Sequence, residues 1–443
     1  MSTLYQKSAV QTNTTQDIMV MQGRAIGGST LVNHALCFRL PEQIADKWSS
    51  EYGLAGKSTA ELASYYEGVE KIITPKITTG RNLNENSRLF HRQFSKRGWQ
   101  VGYGPRNVKT CGGCGNCTIS CPTGAKNSSD RTFLPMAHQM GAKIYSDFEV
   151  KRLHFKDSRV DSLTGVILDN HRNRRASFKI QAKIFILAAG AVQTPLLLQR
   201  SDFTSRSGQV GKNFIGHPLV LPQAVYKEPI DSYRGVPQSV YSWHLAKFGN
   251  YKEGSILFLG DFEGFMQSSM QIPGFGKEFA RQLLDFRKLG QAVIFLNETT
   301  TGEIITTKDD YEIIYTLSNT DKKNFLEGCR QIGKMFFEAG AERVMFGNRI
   351  FYSPQELVDT TPALFDSFKT NVVLAHPMGS CRMGSPETGV VDAFGKVHGI
   401  NNLYLADSSI MPGSTGVNPQ LTVMALAAQI SEKIISHHRS GLK

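Results

Sequence analysis

The sequence is most restrictive in what it does not contain. No stretch approaches about 18 consecutive apolar residues, so no transmembrane helix is expected. The longest apolar run, Ile184–Val192, is strand-sized. The N-terminus has no cationic start followed by an apolar core, so no secretory signal is expected. A cytoplasmic location is the reading, with peripheral membrane association left open. Cysteine is too unevenly placed for a disulfide framework, since four of the seven fall between Cys111 and Cys121. No nucleic-acid motif is present, and Lys and Arg are scattered. The net charge of +12 therefore reads as a solvated basic surface, and nucleic acid is not an expected partner. An acidic electron-acceptor protein stays open as a partner. Repeats and long low-complexity linkers are also absent. What is left is a globular chain of 443 residues, long enough for one large domain or two interleaved ones.

The informative residues crowd towards the C-terminus. His376 opens H-P-M-G-S-C-R-M-G, a turn-rich run. The apolar strand Asn402–Ala406 ends at Asp407, whose carboxylate can accept from a ligand hydroxyl. A helix is expected to open at Asn418-Pro419, with Asn as N-cap and Pro at the first helical position. Leu421, Met424, Ala425, Ala428 and Ile435 then recur at helical spacing. A helix start offers free N–H groups and the positive end of a dipole, suited to an anion or an electron-rich ring.

Earlier in the chain, Arg24 precedes Gly27, Gly28, Ser29 and Thr30. Glycines let backbone N–H groups approach a phosphate, and an Arg can pair with it. Residues 42–75 and 84–98 read as helices, and an amphipathic helix is expected from about Lys322 to Ala339. Strand-like alternation marks G-E-I-I-T-T-K-D-D-Y-E-I-I-Y-T-L-S, residues 302–318. The run K-I-F-I-L-A-A-G-A-V-Q-T-P-L-L-L-Q-R-S reads as a buried strand, a small-residue turn and a helix after Thr194-Pro195.

These motifs resemble the glucose–methanol–choline (GMC) family of flavin oxidoreductases. The resemblance rests on the His376 motif, on V-D-x-x-G-x-V-x-G-I-x-N-L-Y-x-A-D-S-S, and on N-P-x-L-T-x-M-A-L-A, which occur in the family's order. It covers most of residues 18–435. It implies a mixed α/β (α+β) fold: a three-layer FAD-binding domain interleaved with an antiparallel-sheet substrate domain. The expected division is 1–215 for the FAD domain, 216–372 for the substrate domain and 373–443 for the returning part of the FAD domain. The implied reaction is oxidation of a small-molecule alcohol by proton abstraction and hydride transfer to the flavin.

The resemblance also assigns residues. His376 becomes the base and Asn418 its hydrogen-bonding partner. A His titrates near working pH, and an Asn side chain can hold a substrate oxygen. Arg24, Gly27, Gly28, Ser29 and Asn33 fall on the segment that lies along the flavin pyrophosphate and ring. Val150, in a strand at Phe148–His154, falls where the family's backbone meets the adenine. Ala189 and Gly190 lie in the family's A-A-G-A element, and Asp407, Asn418 and Pro419 complete the FAD set. His217, in G-K-N-F-I-G-H-P, also matches a family segment and is given a structural role. The G-G-S-T-x-V-N segment and the Cys loop lean towards the long-chain-alcohol branch.

Two features sit apart from that pattern. Family members begin with a strand, a G-x-G-x-x-G turn, a helix and an acidic residue that hold the adenosine half of FAD. No G-x-G-x-x-G occurs in these residues. The expectation is a misassigned start, a split or truncated gene, or a second chain supplying the unit, and hence weak FAD binding. The other feature is C-x2-C-x2-C-x3-C-P at Cys111, Cys114, Cys117, Cys121 and Pro122, which matches the bacterial ferredoxin run. An iron–sulfur cluster, a zinc site and no metal all stay open. A single cluster would draw on Cys37, Cys329 or Cys381, on an unusual loop, or on three thiolates. The rival readings are an inactive or split remnant of such an enzyme, and an electron-transfer module working through the cluster.

Overall fold

Two runs of aliphatic and aromatic residues form the centre of the fold. Leu289–Leu296 and Ile256–Asp261 are buried at every position and pair antiparallel, Ile256 opposite Leu296. Strands buried on both faces need apolar residues throughout rather than alternation. Their side chains divide by parity. Ala292, Ile294, Ile256 and Phe258 enter one core cluster, while Val293, Phe295, Leu257 and Leu259 enter another on the opposite face. The computed structural model describes residues 4–9, 11–246, 256–261, 265–308, 310–366 and 369–438.

The sheet built on these strands runs Ile18–Val20, Val372–Leu374, Pro218–Val220, Leu289–Leu296, Gln223–Tyr226, Ala341–Phe346 and Arg349–Phe351. Ile256–Asp261, Val240–Ser242 and Gly102–Tyr103 extend it on another branch. Its pairings are antiparallel except for Ile18–Val20 beside Val372–Leu374. The helix Asn319–Glu338 covers one face, burying Phe325, Cys329, Ile332 and Phe336. It starts three residues before the expected Lys322, because Ser318 caps it by accepting from the Asp321 N–H.

The second half of the molecule carries a parallel pair, Phe185–Leu187 beside Leu403–Leu405, and a three-stranded antiparallel sheet, Phe148–Lys156, Arg159–Leu168 and Arg174–Ile180. The helices Thr59–Ile73, Gly190–Arg200 and Gln420–His438 close a core around Leu62, Leu187, Leu198, Leu405 and Leu421. That core draws on residues before 75, between 153 and 215 and after 378, so the two halves take alternating stretches of chain.

Three local expectations change. Residues 42–75 form two helices, Glu42–Glu51 and Thr59–Ile73, parted by Gly53 and Gly56 at positive φ. The helix expected after Thr194-Pro195 begins earlier, at Gly190, and contains Pro195. A proline there leaves the Ala191 carbonyl without its usual helical donor. The Ser380 hydroxyl donates to that carbonyl instead. Finally, the strand Phe185–Leu187 is not wholly buried, because Ile186 is 51% exposed.

Candidate active site

Antiparallel pairing brings three chain segments to one edge of the large sheet. Val372–Leu374 runs into His376, and Pro218–Val220 begins just after His217. Leu289–Leu296 ends just before Glu298. The registers Leu374 opposite Pro218 and Phe295 opposite Leu219 put all three polar residues at the same end. The His376 N–H donates to the Gly216 carbonyl at 2.9 Å and locks the two histidine segments together.

The side chains form a connected line. His376 Nδ1 lies 3.0 Å from His217 Nδ1, with the rings edge to face at 86°. His217 Nε2 lies 2.7 Å from the Ser414 hydroxyl, which donates to Glu298 Oε2 at 3.4 Å. Glu298 Oε1 accepts the N–H groups of Gly216 and His217 at 2.6 and 2.8 Å. His217 has φ of +47°, a left-handed conformation that a non-glycine residue adopts at a cost. That cost is met where its own N–H turns to the carboxylate. On the other side of the base, Asn418 Nδ2 lies 3.2 Å from His376 Nε2, and Asn418 Oδ1 is buried with no partner among the described residues.

Asn418 is thus not the N-cap that the sequence suggested. The helix begins at Gln420, and its first carbonyl acceptor is Pro419, bonded by Val423 N–H at 2.9 Å. The Asn418 side chain is turned to His376 instead. Gln420 in turn accepts from Asn33 Nδ2 and donates to the Leu36 carbonyl, to Cys37 Sγ and to Asn107 Oδ1. Asn33 and Asn418 are therefore held on one helix start.

His217 and Glu298 are buried, while His376, Ser414 and Asn418 are half-buried. Burial pushes the His376 imidazole down to about 4 and His217 well below the usual range. His34 is lowered too, first by burial and then by Arg106, Lys126 and His376. Burial also raises the Glu298 carboxyl to about 7, against the opposing pull of its backbone N–H donors. Phe295 stacks on His217 and meets His376 edge on. Leu219, Val293 and Val417 continue the apolar surroundings, with Val373 and Ala375 packed against them. Sequence reasoning missed Ser414 and Glu298 and gave His217 only a structural role. The one usable signal was a His and a Glu placed immediately outside apolar runs.

The residues assigned to FAD form a second line. Gln22 Nε2 donates to the Ala189 carbonyl, and Asp407 Oδ2 accepts from Gly190 N–H and the Thr194 hydroxyl at 3.0 and 2.6 Å. Asp407 Oδ1 accepts from Ser409 N–H, so three of its roughly four acceptor positions serve the protein. Arg24 makes no side-chain hydrogen bond or ion pair among the described residues. Gly27 and Gly28 both have positive φ, and a Cβ at Gly28 would meet nothing within 4 Å. Ser29 accepts from Gly23 N–H and is exposed. Val150 pairs with Gly165 and packs on the second core, with no hydrogen bond to this line.

The cysteine run is arranged differently from the ferredoxin expectation. All seven cysteines are free thiols. Among the described residues no three His, Cys, Asp or Glu side chains are gathered to hold a metal. Cys117 accepts from Arg106 Nη2 at 3.2 Å. Cys329 is packed in the first core, and Cys37 and Cys381 in the second, where burial raises all three thiols. None of the three reaches the loop as a further ligand.

Two sequence models of the GMC oxidoreductase family match, one over residues 1–219 and one over 304–427. The chain belongs to the GMC oxidoreductase family. It is 27% identical over 424 residues to an uncharacterised GMC-type oxidoreductase of Mycobacterium tuberculosis, covering 95% of this chain and 65% of that protein. It is 26% identical over 481 residues to the long-chain-alcohol oxidase FAO3 of Arabidopsis thaliana, covering 99% of this chain and 62% of that protein. The chain thus spans less than two thirds of these relatives' length. In fold it is similar to a pyridoxine 4-oxidase, with a TM-score of 0.69 at 19% identity over 94% of this chain and 85% of that one. A formate oxidase gives 0.68 at 17% identity, over 95% and 85%.

Proposed function

We propose that this chain carries the alcohol-oxidising site of a FAD-dependent oxidoreductase acting on CH–OH groups. The observation that carries the reading is the pair His376 Nε2 and Asn418 Nδ2 at 3.2 Å, in an apolar setting and backed by a buried polar line. Burial keeps His376 neutral near neutral pH, so an imidazole lone pair is available as a base. Asn418 has a second N–H for the substrate oxygen, which gains negative charge as its proton leaves. The hydrophobic neighbours Leu219, Val293, Phe295 and Val417 exclude water and favour a substrate with an apolar body, as in the long-chain-alcohol branch.

The residues present fit a flavin. Arg24 has an uncommitted guanidinium for a pyrophosphate, and the Gly28 backbone is open to close approach, while Gly27 packs against Leu31 and Asp130. Asn418 Oδ1 is a buried acceptor awaiting a donor. Arg24, Gly27, Gly28, Ser29, Asn33, Val150, Ala189, Gly190, Asp407, Asn418 and Pro419 are the residues proposed to hold FAD. When bound, FAD accepts the hydride equivalent from the alcohol carbon. No step is routed through a metal cluster at Cys111–Cys121. The later electron acceptor is a separate partner, left as oxygen, a quinone or a redox protein.

His376→Ala tests the reading. It should lower alcohol turnover by about 10²–10⁴-fold, the usual contribution of a positioned base, with flavin content retained. Turnover unchanged in a flavin-loaded variant would remove His376 from the reaction.

A further inference from the structure

The line behind His376 ends on a carboxyl group, and that end has a chemical consequence. Hydrogen-bond polarity can be traced from it. An ionised Glu298 only accepts, so the Ser414 hydroxyl donates to it at 3.4 Å. Ser414 Oγ must then accept at 2.7 Å, which puts a hydrogen on His217 Nε2. A neutral His217 so protonated has a bare Nδ1, which accepts across 3.0 Å from His376 Nδ1–H. His376 is left with a lone pair on Nε2, the nitrogen that faces Asn418. The carboxylate thus sets the tautomer of an imidazole three links away, and adding one proton reverses every link.

We propose that His217, Ser414 and Glu298 form a buried proton relay behind His376, with Glu298 as the resting place of the proton taken from the substrate hydroxyl. The inference rests on the alcohol-oxidising reading above. The bookkeeping closes. The substrate O–H breaks as His376 Nε2–H forms, and His376 Nδ1–H breaks as His217 Nδ1–H forms. His217 Nε2–H then breaks as a Ser414 O–H forms, while the original Ser414 O–H passes to Glu298 Oε2. No electrons move along the line. Both rings end neutral, and one negative charge has moved from Glu298 to the substrate oxygen.

Two observations favour this over a proton held on His376. Phe295 stacks on one imidazole and lies edge on to the other, and among the described residues no carboxylate touches either ring. Burial pushes His376 down to about 4 and Glu298 up to about 7, so the carboxyl is the firmer resting place for the proton. The groups facing Glu298 are the N–H donors of Gly216, His217 and its own backbone, the Ser414 hydroxyl, and the charge of Asp321. Its own charge is felt in turn at the buried Tyr315 phenol. His217, Ser414 and Glu298 are positioning residues in this scheme, and within the line itself His376 is the member that meets substrate.

The test reads ring nitrogens rather than turnover, so it stands whether or not an alcohol is ever oxidised. In intact protein labelled with nitrogen-15 at histidine, His376 Nε2 should lack a hydrogen at about pH 8.5 and carry one at about pH 5.5, with His217 switching in step and neither ring becoming imidazolium. The midpoint should fall near the Glu298 value of about 7. Glu298→Gln should hold His376 in the Nε2–H form throughout, and Ser414→Ala, a smaller change, should also abolish the coupled switch. Rings fixed in one tautomer across that range in the parent, or variants that titrate as the parent does, would overturn the relay. In turnover, Glu298→Gln should flatten the pH profile of kcat/KM near neutrality, and Glu298→Asp should partly restore it.

Discussion

Replacing Glu298 by Gln should stabilise the fold at alkaline pH and leave it nearly unchanged in acid. The Glu298 side chain is only 4% exposed, and loss of solvation is the largest cause of its elevation from 4.5 to about 7. Three backbone N–H donors oppose that rise, and Asp321 adds to it. Between those two values the folded state binds a proton that the unfolded chain has released, so stability falls as pH rises. The penalty is absent below about 4.5 and complete above about 7. At about 1.4 kcal/mol per pH unit it reaches about 3 kcal/mol. Gln keeps an oxygen for the Gly216 and His217 N–H groups and cannot ionise. His217 and His376 act in the opposite sense. Their folded values are lowered, so they cost stability as pH falls below about 6.5. That contribution is shared by both proteins and largely cancels in their difference. Urea denaturation of parent and variant from about pH 5 to 8 should show the gap between them widening by about 3 kcal/mol. A gap that stays constant across that range would refute the buried-carboxyl argument.

Other outcomes follow from the same coordinates. Asp321 accepts from the N–H and hydroxyl groups of both Thr299 and Thr300, tying the start of a helix to the loop that carries Glu298. Asp321→Ala should cost roughly 3 kcal/mol or more, at about 1.5–3 kcal/mol for each bond to a charged group, and a loss under about 1 kcal/mol by denaturation would contradict it. Among the described residues no three His, Cys, Asp or Glu side chains are gathered at Cys111–Cys121, so binding a cluster would require these thiols to move together. Iron and acid-labile sulfide measured after anaerobic purification check this, and stoichiometric amounts would mean that the loop rearranges around a cluster.

How much of this was legible depends on how local each signal was. His376, Asn418, Arg24 and the Gly27-Gly28 turn lie in short motifs whose chemistry can be read from neighbouring residues. The relay as a set lies in no single motif, although His217 belongs to one. His217 and His376 are 159 positions apart, and Ser414 and Glu298 are 116 apart. The registers of three antiparallel strands put His217, His376 and Glu298 together, and the loop before the last helix adds Ser414; register is set by the whole sheet. Local rules also misplaced residues that tertiary contacts redirect. Asn418 has the residue type of an N-cap but serves His376, while Pro419 takes the cap position. Pro195 was taken as a helix start, yet the Ser380 hydroxyl supplies the donor that lets a helix run through it. Asp407, read as a ligand acceptor, also accepts from Gly190 N–H, the Thr194 hydroxyl and Ser409 N–H, contacts that the sequence did not show.

Three departures from ordinary packing meet at this site. His217 sits at φ +47°, Glu298 is a carboxyl in an apolar setting, and Asn418 Oδ1 is buried without a partner among the described residues. An unpaired buried acceptor costs about 1–3 kcal/mol, and strained backbone costs about 1–3 kcal/mol more. Each cost could be removed by a small change elsewhere in a purely structural sheet edge. Here one group depends on the next. The left-handed His217 aims its N–H at Glu298, Glu298 orients Ser414, Ser414 fixes the His217 ring, and that ring fixes His376 against Asn418. A core selected for stability alone would bury Leu or Phe here, as it does at Leu219, two residues after His217, and at Phe295, three residues before Glu298. Local instability of this kind, confined to a connected polar line, is what a site holding a mobile proton requires.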